Sequence, residues 1–205
     1  MKTVSITHCT YPVVETFHSV QGEGWWTGTS AFFIRLGGCD VGCPWCDQKE
    51  SWNARLHPRE SVADLADRAR NANPAIVVIT GGEPLLHDLD PLTRELRERG
   101  LRVHLETSGT RPFSGSFDWV TFSPKVYKAP HPSIYDRANE IKIVVADESD
   151  LRYAEEQGSR VPSTAARYLQ PEWNTPESQR LVFDYVLKNP RWRVSLQTHK
   201  FLGVR

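Results

Sequence analysis

The stretch Ala75-Ile76-Val77-Val78-Ile79-Thr80 is apolar at consecutive positions, over a length that suits a strand better than a helix. A strand with one wet face alternates; one without alternation is covered on both faces, which demands helices packed on a largely parallel sheet. The flanks agree. Upstream, Ser61 with Asp64 three residues on is a capping-box-like helix start, and Val62, Leu65, Ala66 and Ala69 fall on one face before Asn73-Pro74 stops the segment. Downstream, a helix is expected over about 88–99, with Leu89, Leu92 and Leu96 facing in and Gly100 as its stop.

The same alternation runs through the chain. Further strands are expected at Ser30–Leu36, Leu101–Glu106, Trp119–Ser123, Ile141–Val145, Arg167–Gln170 and Trp192–Thr198. Helices are expected at about 147–157 and from a Thr175 cap, with Pro176 at its first position, to about Lys188. Pro12–Val20 is apolar enough to be half buried and runs into a Gln21-Gly22-Glu23-Gly24 loop. No amphipathic helix follows Glu106 or Ser123, and Pro130 and Pro132 suggest loop. A complete eightfold barrel needs about 250 residues and all its helices. With 205 residues and two helices missing, the expected fold is α/β: an incomplete, trimmed (βα) partial TIM barrel with mostly parallel strands, one domain over 1–205.

Unusual residues collect where these strands end. Ser30–Leu36 leads through Gly37-Gly38 into Cys39-Asp40-Val41-Gly42-Cys43-Pro44-Trp45-Cys46-Asp47, which holds three of the four cysteines in the spacing C-x3-C-x2-C. The following strands end in Thr80-Gly81-Gly82-Glu83-Pro84, Glu106-Thr107-Ser108-Gly109, Ser123-Pro124-Lys125, Gln170-Pro171 and Thr198-His199-Lys200. In (βα) barrels that rim is where active sites are built. Lysine plus arginine equals aspartate plus glutamate, 25 each, so no nucleic-acid footprint or attraction to anionic membrane is expected. No apolar run spans a bilayer, and Met1-Lys2-Thr3-Val4-Ser5 reads as no leader, so the expected location is cytoplasmic and the thiols reduced. Disulfides fail on arithmetic, since Cys9 alone cannot partner Cys39, Cys43 and Cys46.

Crowded thiolates hold a metal or form a redox centre. Zinc would need a fourth ligand, Cys9 or a histidine such as His18. A redox pair would use Cys43 and Cys46 and leave Cys39 without a role. An iron–sulfur cubane on three thiolates uses all three and leaves one iron open.

C-x3-C-x2-C after the first strand resembles the signature of the radical S-adenosylmethionine superfamily, and Gly81-Gly82-Glu83-Pro84 resembles that superfamily's second motif. Within it the chain resembles the 7-carboxy-7-deazaguanine synthases. The likeness rests on Val20-Gln21-Gly22-Glu23-Gly24, Thr27-Gly28, Phe33-Ile34-Arg35-Leu36, Gly38-Cys39, Cys43-Pro44-Trp45-Cys46-Asp47, the three middle motifs and Ser195-Leu196-Gln197-Thr198-His199-Lys200. The resemblance implies a [4Fe-4S] cluster, S-adenosyl-L-methionine, Mg2+ to a varying degree, a flavodoxin or ferredoxin as electron donor, and a homodimer. It implies ring contraction of 6-carboxy-5,6,7,8-tetrahydropterin with loss of ammonia.

It further implies cluster ligation by Cys39, Cys43 and Cys46, with no catalytic side chain beyond the cluster and bound cofactor. Cofactor contacts are implied for Trp45, Cys46, Asp47, Gly81, Gly82, Glu83, Glu106, Ser108, Ser123, Pro124, Lys125 and Gln170. Substrate contacts are implied for Val20, Gln21, Gly22, Arg35, Thr80, His199 and the C-terminal carboxylate of Arg205. The fork of Arg35 suits a pterin carboxylate; its alternative is a rim salt bridge. Trp25, Trp26 and Trp52 read as packing or lid residues. One position departs from the family pattern: Gln48 stands where members carry threonine near the magnesium. A glutamine amide oxygen can bind a hard cation or meet the substrate instead. The competing readings are a glycyl-radical-enzyme activase, which has no use for Gln21, Arg35 and His199, and a non-catalytic metal-binding module.

Overall fold

The uninterrupted apolar run becomes the middle of a sheet. In a computed structural model that describes residues 9–205, it forms β4 (Ile76–Gly81), with Val77 and Ile79 buried on one face and Ile76 and Val78 on the other. The reading of Met1–Ser5 lies outside the described residues. β2 (Ser30–Leu36) and β5 (Val103–Thr107) flank β4 in parallel. Also parallel, β6 (Trp119–Phe122), β7 (Glu140–Val145), β8 (Ala166–Pro171) and β9 (Arg193–Val194) continue beyond β5. On the other side, β1 (Thr10–Val20) runs antiparallel to β2, and β3 (Arg59–Ser61) antiparallel to β1. The order β3-β1-β2-β4-β5-β6-β7-β8-β9 has two free ends, so the barrel is open, as expected.

Helices α1 (Val62–Asn71), α2 (Asp90–Glu98), α3 (Glu148–Gly158) and α4 (Pro176–Lys188) contribute to one continuous core on the outer face. Leu89, Leu92 and Leu96 are fully buried, each contributing on the order of 1.5–3 kcal/mol. Ser61 caps α1 by accepting the Asp64 N–H at 3.1 Å. No α-helix joins β5 to β6 or β6 to β7; the second link carries only a 3-10 turn over Pro132–Arg137, which buries Ile134 and Tyr135.

Three readings need correction. β1 is a full strand of 11 residues, obscured in the sequence by a register shift between Val13 and Glu15 that breaks the alternation. The last strand is only two residues, and Thr198–Leu202 is a short helix, α5. There tertiary hydrogen bonds override strand propensity: the Thr198 N–H and hydroxyl both donate to the Gly22 carbonyl, at 2.9 and 3.0 Å. Thr175 does precede α4, but its hydroxyl donates to Glu172 Oε2 at 2.7 Å and makes no side-chain cap.

Candidate active site

The C-terminal strand ends open into one pocket. Of the expected site residues, Arg35, Cys39, Cys43, Trp45, Cys46, Asp47, Gln48, Thr80, Gly81, Gly82, Glu106, Ser108, Ser123, Lys125, Gln170 and His199 line it, with Trp52. The rest stand behind it or elsewhere. Gln21 donates from Nε2 to Glu106 Oε1 at 2.9 Å. Gly22 lies under His199, where a Cβ would sit 2.0 Å from Nδ1. The buried Glu83 carboxylate accepts the Leu85 N–H at 2.9 Å, the Ser108 N–H at 2.8 Å and the Thr107 hydroxyl at 2.5 Å, so it braces the rim. Pro124 is buried in its turn. Val20 pairs with Ser30, at the end of β2 away from the cysteines. Arg205 is not brought to the pocket: α5 closes at Gly203 in the left-handed region, and the Arg205 guanidinium pairs with Glu15 Oε2 at 2.6 Å beside β1. Trp25 and Trp26 pack with Trp119 and His104 away from the lining.

The cysteine loop is held from both sides. Gly38 N–H donates to Ser51 O at 2.6 Å and Cys39 N–H to Trp52 O at 3.1 Å. Asp40 accepts from Arg111 Nε at 2.7 Å and Lys128 Nζ at 2.6 Å, which hold its carboxyl below the usual range against the effect of burial. Gly81 and Gly82 lie so close to this strand end that a Cβ would meet Leu36 O at 2.1 Å and Gly38 O at 2.2 Å. That contact is why the glycine pair is needed there: it seats the second motif against the first.

All three thiols are free, and burial raises those of Cys39 and Cys43. The other two ligands considered for zinc are elsewhere: Cys9 packs on the outer core, and His18 bonds Ser30 Oγ at 2.8 Å near the opposite end of β2. The donor set that fits a cluster is thus Cys39, Cys43 and Cys46, each on the pocket wall. Lys125 reaches Ser123 O and Oγ, both at 2.6 Å, and burial pulls its pKa down to about 8.

Below the rim lies a charged floor that sequence reasoning missed. Lys142 pairs with Glu23 Oε2, and Gln197 Nε2 donates to Glu23 Oε1 at 2.9 Å. Burial works against the Glu23 charge, but Lys142 and Gln197 overcome it and hold the carboxyl down at about 2. Burial also opposes the Lys142 ammonium, which Glu23, Glu106 and Glu140 hold above the usual lysine range. A signal existed: Lys142 is a lone charge in the apolar strand Ile141-Lys142-Ile143-Val144-Val145, and Glu23 sits inside a quoted motif. Glu106 Oε2 accepts from Thr80 Oγ1 at 3.1 Å. Arg35 donates from Nε to Glu15 Oε1 at 2.9 Å, so the rim salt bridge is present while Arg35 also lines the pocket. The wall therefore offers thiols and glycine backbone at one end, and paired cations and carboxylates at the other.

Comparison with known proteins agrees with this layout. The Radical SAM superfamily matches residues 33–127. A 7-carboxy-7-deazaguanine synthase from Synechocystis is 55% identical over 195 residues, covering 95% of this chain and 94% of the relative. One from Escherichia coli K12 is 36% identical, covering 95% and 99%. The crystal structure of QueE from Escherichia coli superposes with a TM-score of 0.84 at 34% identity, covering 93% of this chain and 95% of that one. A cysteine triad seated on a glycine pair, in an open parallel barrel with relatives this similar over its whole length, places the chain in the radical S-adenosylmethionine enzymes, as a member of the 7-carboxy-7-deazaguanine synthase family.

Proposed function

We propose that the protein converts 6-carboxy-5,6,7,8-tetrahydropterin to 7-carboxy-7-deazaguanine with loss of ammonia, in queuosine or related 7-deazapurine biosynthesis. The observation that carries this reading is the single pocket in which the cysteine triad faces Arg35, Thr80, Glu106 and Glu23. A [4Fe-4S] cluster and S-adenosylmethionine bound here would supply radical chemistry, the capacity to abstract a hydrogen atom from the substrate. Cys39, Cys43 and Cys46 would hold the cluster, Gly81 and Gly82 would offer backbone to the cofactor, and Ser108, Ser123, Lys125 and Gln170, which line the same pocket, would take its polar groups.

On the substrate side, Arg35 commits Nε to Glu15, which orients the guanidinium and leaves its terminal nitrogens to grip a carboxylate. Thr80, Glu106 and Glu23 face the pterin edge, whose N–H groups suit carboxylate acceptors. Glu106, expected among the cofactor contacts, is assigned here to the substrate because its partners are Gln21 and Thr80. Gln21 acts through Glu106, and Gly22 through His199. The electron comes from a flavodoxin or ferredoxin, and the enzyme is a cytoplasmic homodimer. Among the described residues no helix is long and apolar enough to cross a membrane.

Magnesium joins the site through Gln48, whose buried Oε1 lacks a hydrogen-bond partner and so offers a free acceptor to a hard cation. Turnover of reconstituted enzyme should rise on adding Mg2+; a rate indifferent to the ion removes this role. For the reaction itself, anaerobically reconstituted protein is incubated with dithionite, S-adenosylmethionine and 6-carboxytetrahydropterin and the products are read by mass spectrometry. Accumulation of 7-carboxy-7-deazaguanine is expected, whereas 5′-deoxyadenosine without any deazapurine would sink the substrate assignment.

A further inference from the structure

Lys142 is the residue whose burial most needs a reason. Its side chain is 7% exposed, on the inner side of β7 between the core residues Ile141 and Ile143. An ammonium taken out of water costs several kcal/mol unless paired. Three carboxylates face it, but two are engaged elsewhere: Glu106 by Gln21 and Thr80, Glu140 by the Trp25 N–H at 3.0 Å. Glu23 alone makes the direct pair.

Glu23 needs such a partner, because it sits on the loop that crosses the gap of the open barrel. That loop is tied to β5 through Gln21, to the segment after β9 through the Gly24 N–H on Ser195 Oγ at 3.0 Å, and to β7 through Lys142 and Glu140. Its backbone runs tight against the floor: a Cβ on Gly24 would lie 2.0 Å from Glu140 Oε1.

We infer that Lys142 is a positioning residue for the substrate pocket, acting through Glu23: its ammonium fixes that carboxylate on the floor as an anionic acceptor for the N–H edge of the ligand. The inference rests on the pterin reading above. Without Lys142, Glu23 loses the cation in direct contact with it while Glu106, and Glu140 as it ionises, stay close by, so Glu23 holds a proton more readily, and a protonated carboxyl donates where the carboxylate only accepted. The other charged groups facing this pair are Lys125 from the β6–β7 connection and His199 from α5, with Lys200 reaching it through Gln197 at 2.9 Å.

The test measures binding and needs no turnover. Reconstituted protein is titrated with 6-carboxypterin, an oxidised analogue, by quenching of its fluorescence between about pH 6 and 9. Lys142→Met should bind about tenfold more weakly near pH 6.5 and recover as pH rises and Glu23 ionises. Glu23→Gln cannot titrate, so the double variant should lose that added pH slope, and Lys142→Arg should restore part of the affinity. A merely structural role for Lys142 moves stability without creating a slope that Glu23→Gln removes. Wild-type affinity in Lys142→Met, or a slope that survives in the double variant, overturns the inference. If Lys142→Met does not fold, Glu23→Gln and the double variant, which removes both charges, decide: about tenfold weaker binding in the first with no further loss in the second upholds the inference, and unchanged affinity in the first or a further loss in the second overturns it. Failure of the wild type to bind any pterin refutes the substrate reading and this inference together.

Discussion

The two faces of the parallel sheet are built from alternate residues of the same strands, yet they obey different rules. On β5, Val103 and Leu105 join the helix-covered core, while His104 and Glu106 face the other way. On β7, Ile141, Ile143 and Val145 are in the core, while Glu140 and Lys142 face the floor. The outer face is held together by buried area, where apolar side chains of similar volume replace one another at small cost. The inner face, besides a small apolar cluster of Ala31, Phe33, Ile76 and Val78, is a chain of named pairs, in which the state of each group depends on its neighbours and energies do not add. The outer face decides whether the chain folds, and the inner face decides what the folded chain binds.

Adjacent positions on β5 can break that division. Leu105, fully buried in the outer core, should lose about 2–5 kcal/mol of stability as Leu105→Ala, with kcat per folded molecule retained. Its neighbour as Glu106→Gln should keep stability within about 1 kcal/mol but lose roughly 100-fold in kcat/KM, about 2.7 kcal/mol of transition-state binding. Urea unfolding and steady-state kinetics on both variants give the comparison. If both variants shift the same quantity, the faces are not separable.

The same division explains what was legible. The outer face follows period: Leu89, Leu92 and Leu96 announced α2, Ser61 announced α1, and Ile76–Ile79 announced a strand covered on both sides. The rim clusters were readable because glycine pairs and crowded cysteines have few other uses, and the relatives then settled the family against the activase alternative. The inner pairs were not readable, since no local pattern says that Glu23 meets Lys142 across 119 positions. The C-terminus was not legible either: past the left-handed Gly203 the Arg205 guanidinium meets Glu15, the carboxylate that Arg35 also holds. Gln21 and Glu83 were placed at the right loops, yet both act from behind the wall, which only the hydrogen bonds reveal.

A smaller effect sharpens the comparison on β2. Arg35→Lys keeps the charge but loses the fork, so KM for the pterin should rise about tenfold, or about 1.4 kcal/mol. Stability should move by less than about 1 kcal/mol, because Glu15 keeps Arg205 as a partner and lysine can reach it. Its outer-face neighbour as Ile34→Val should show the reverse, losing about 0.5–1.5 kcal/mol of stability with KM unchanged. An Arg35→Lys enzyme with wild-type KM would return Arg35 to a structural salt bridge.

An effect that shows only as pH falls concerns a residue that shares the inner face but not its network. His104 is 3% exposed, packs its ring 5.0 Å from Trp26, and leaves Nε2 without a partner. Burial, helped by the nearby Arg102, holds its pKa down at about 4 against the ordinary 6.5. Above the ordinary value the ring is neutral in both states and stability does not depend on it. As pH falls below that value the unfolded chain takes up the proton first, so stability drops until the folded ring also titrates near 4. The loss amounts to roughly 2 kcal/mol at about pH 5. Glu140 acts in the opposite sense over the same range, since burial pushes its pKa up to about 7 and stability falls as it ionises. The wild-type curve alone therefore hides both arms, and the difference between His104→Phe and wild type isolates one. That difference should grow in favour of the variant by roughly 2 kcal/mol between pH 7 and about pH 5, read from urea midpoints. Parallel curves would mean that water reaches the ring, and that this part of the inner face is no drier than the rim.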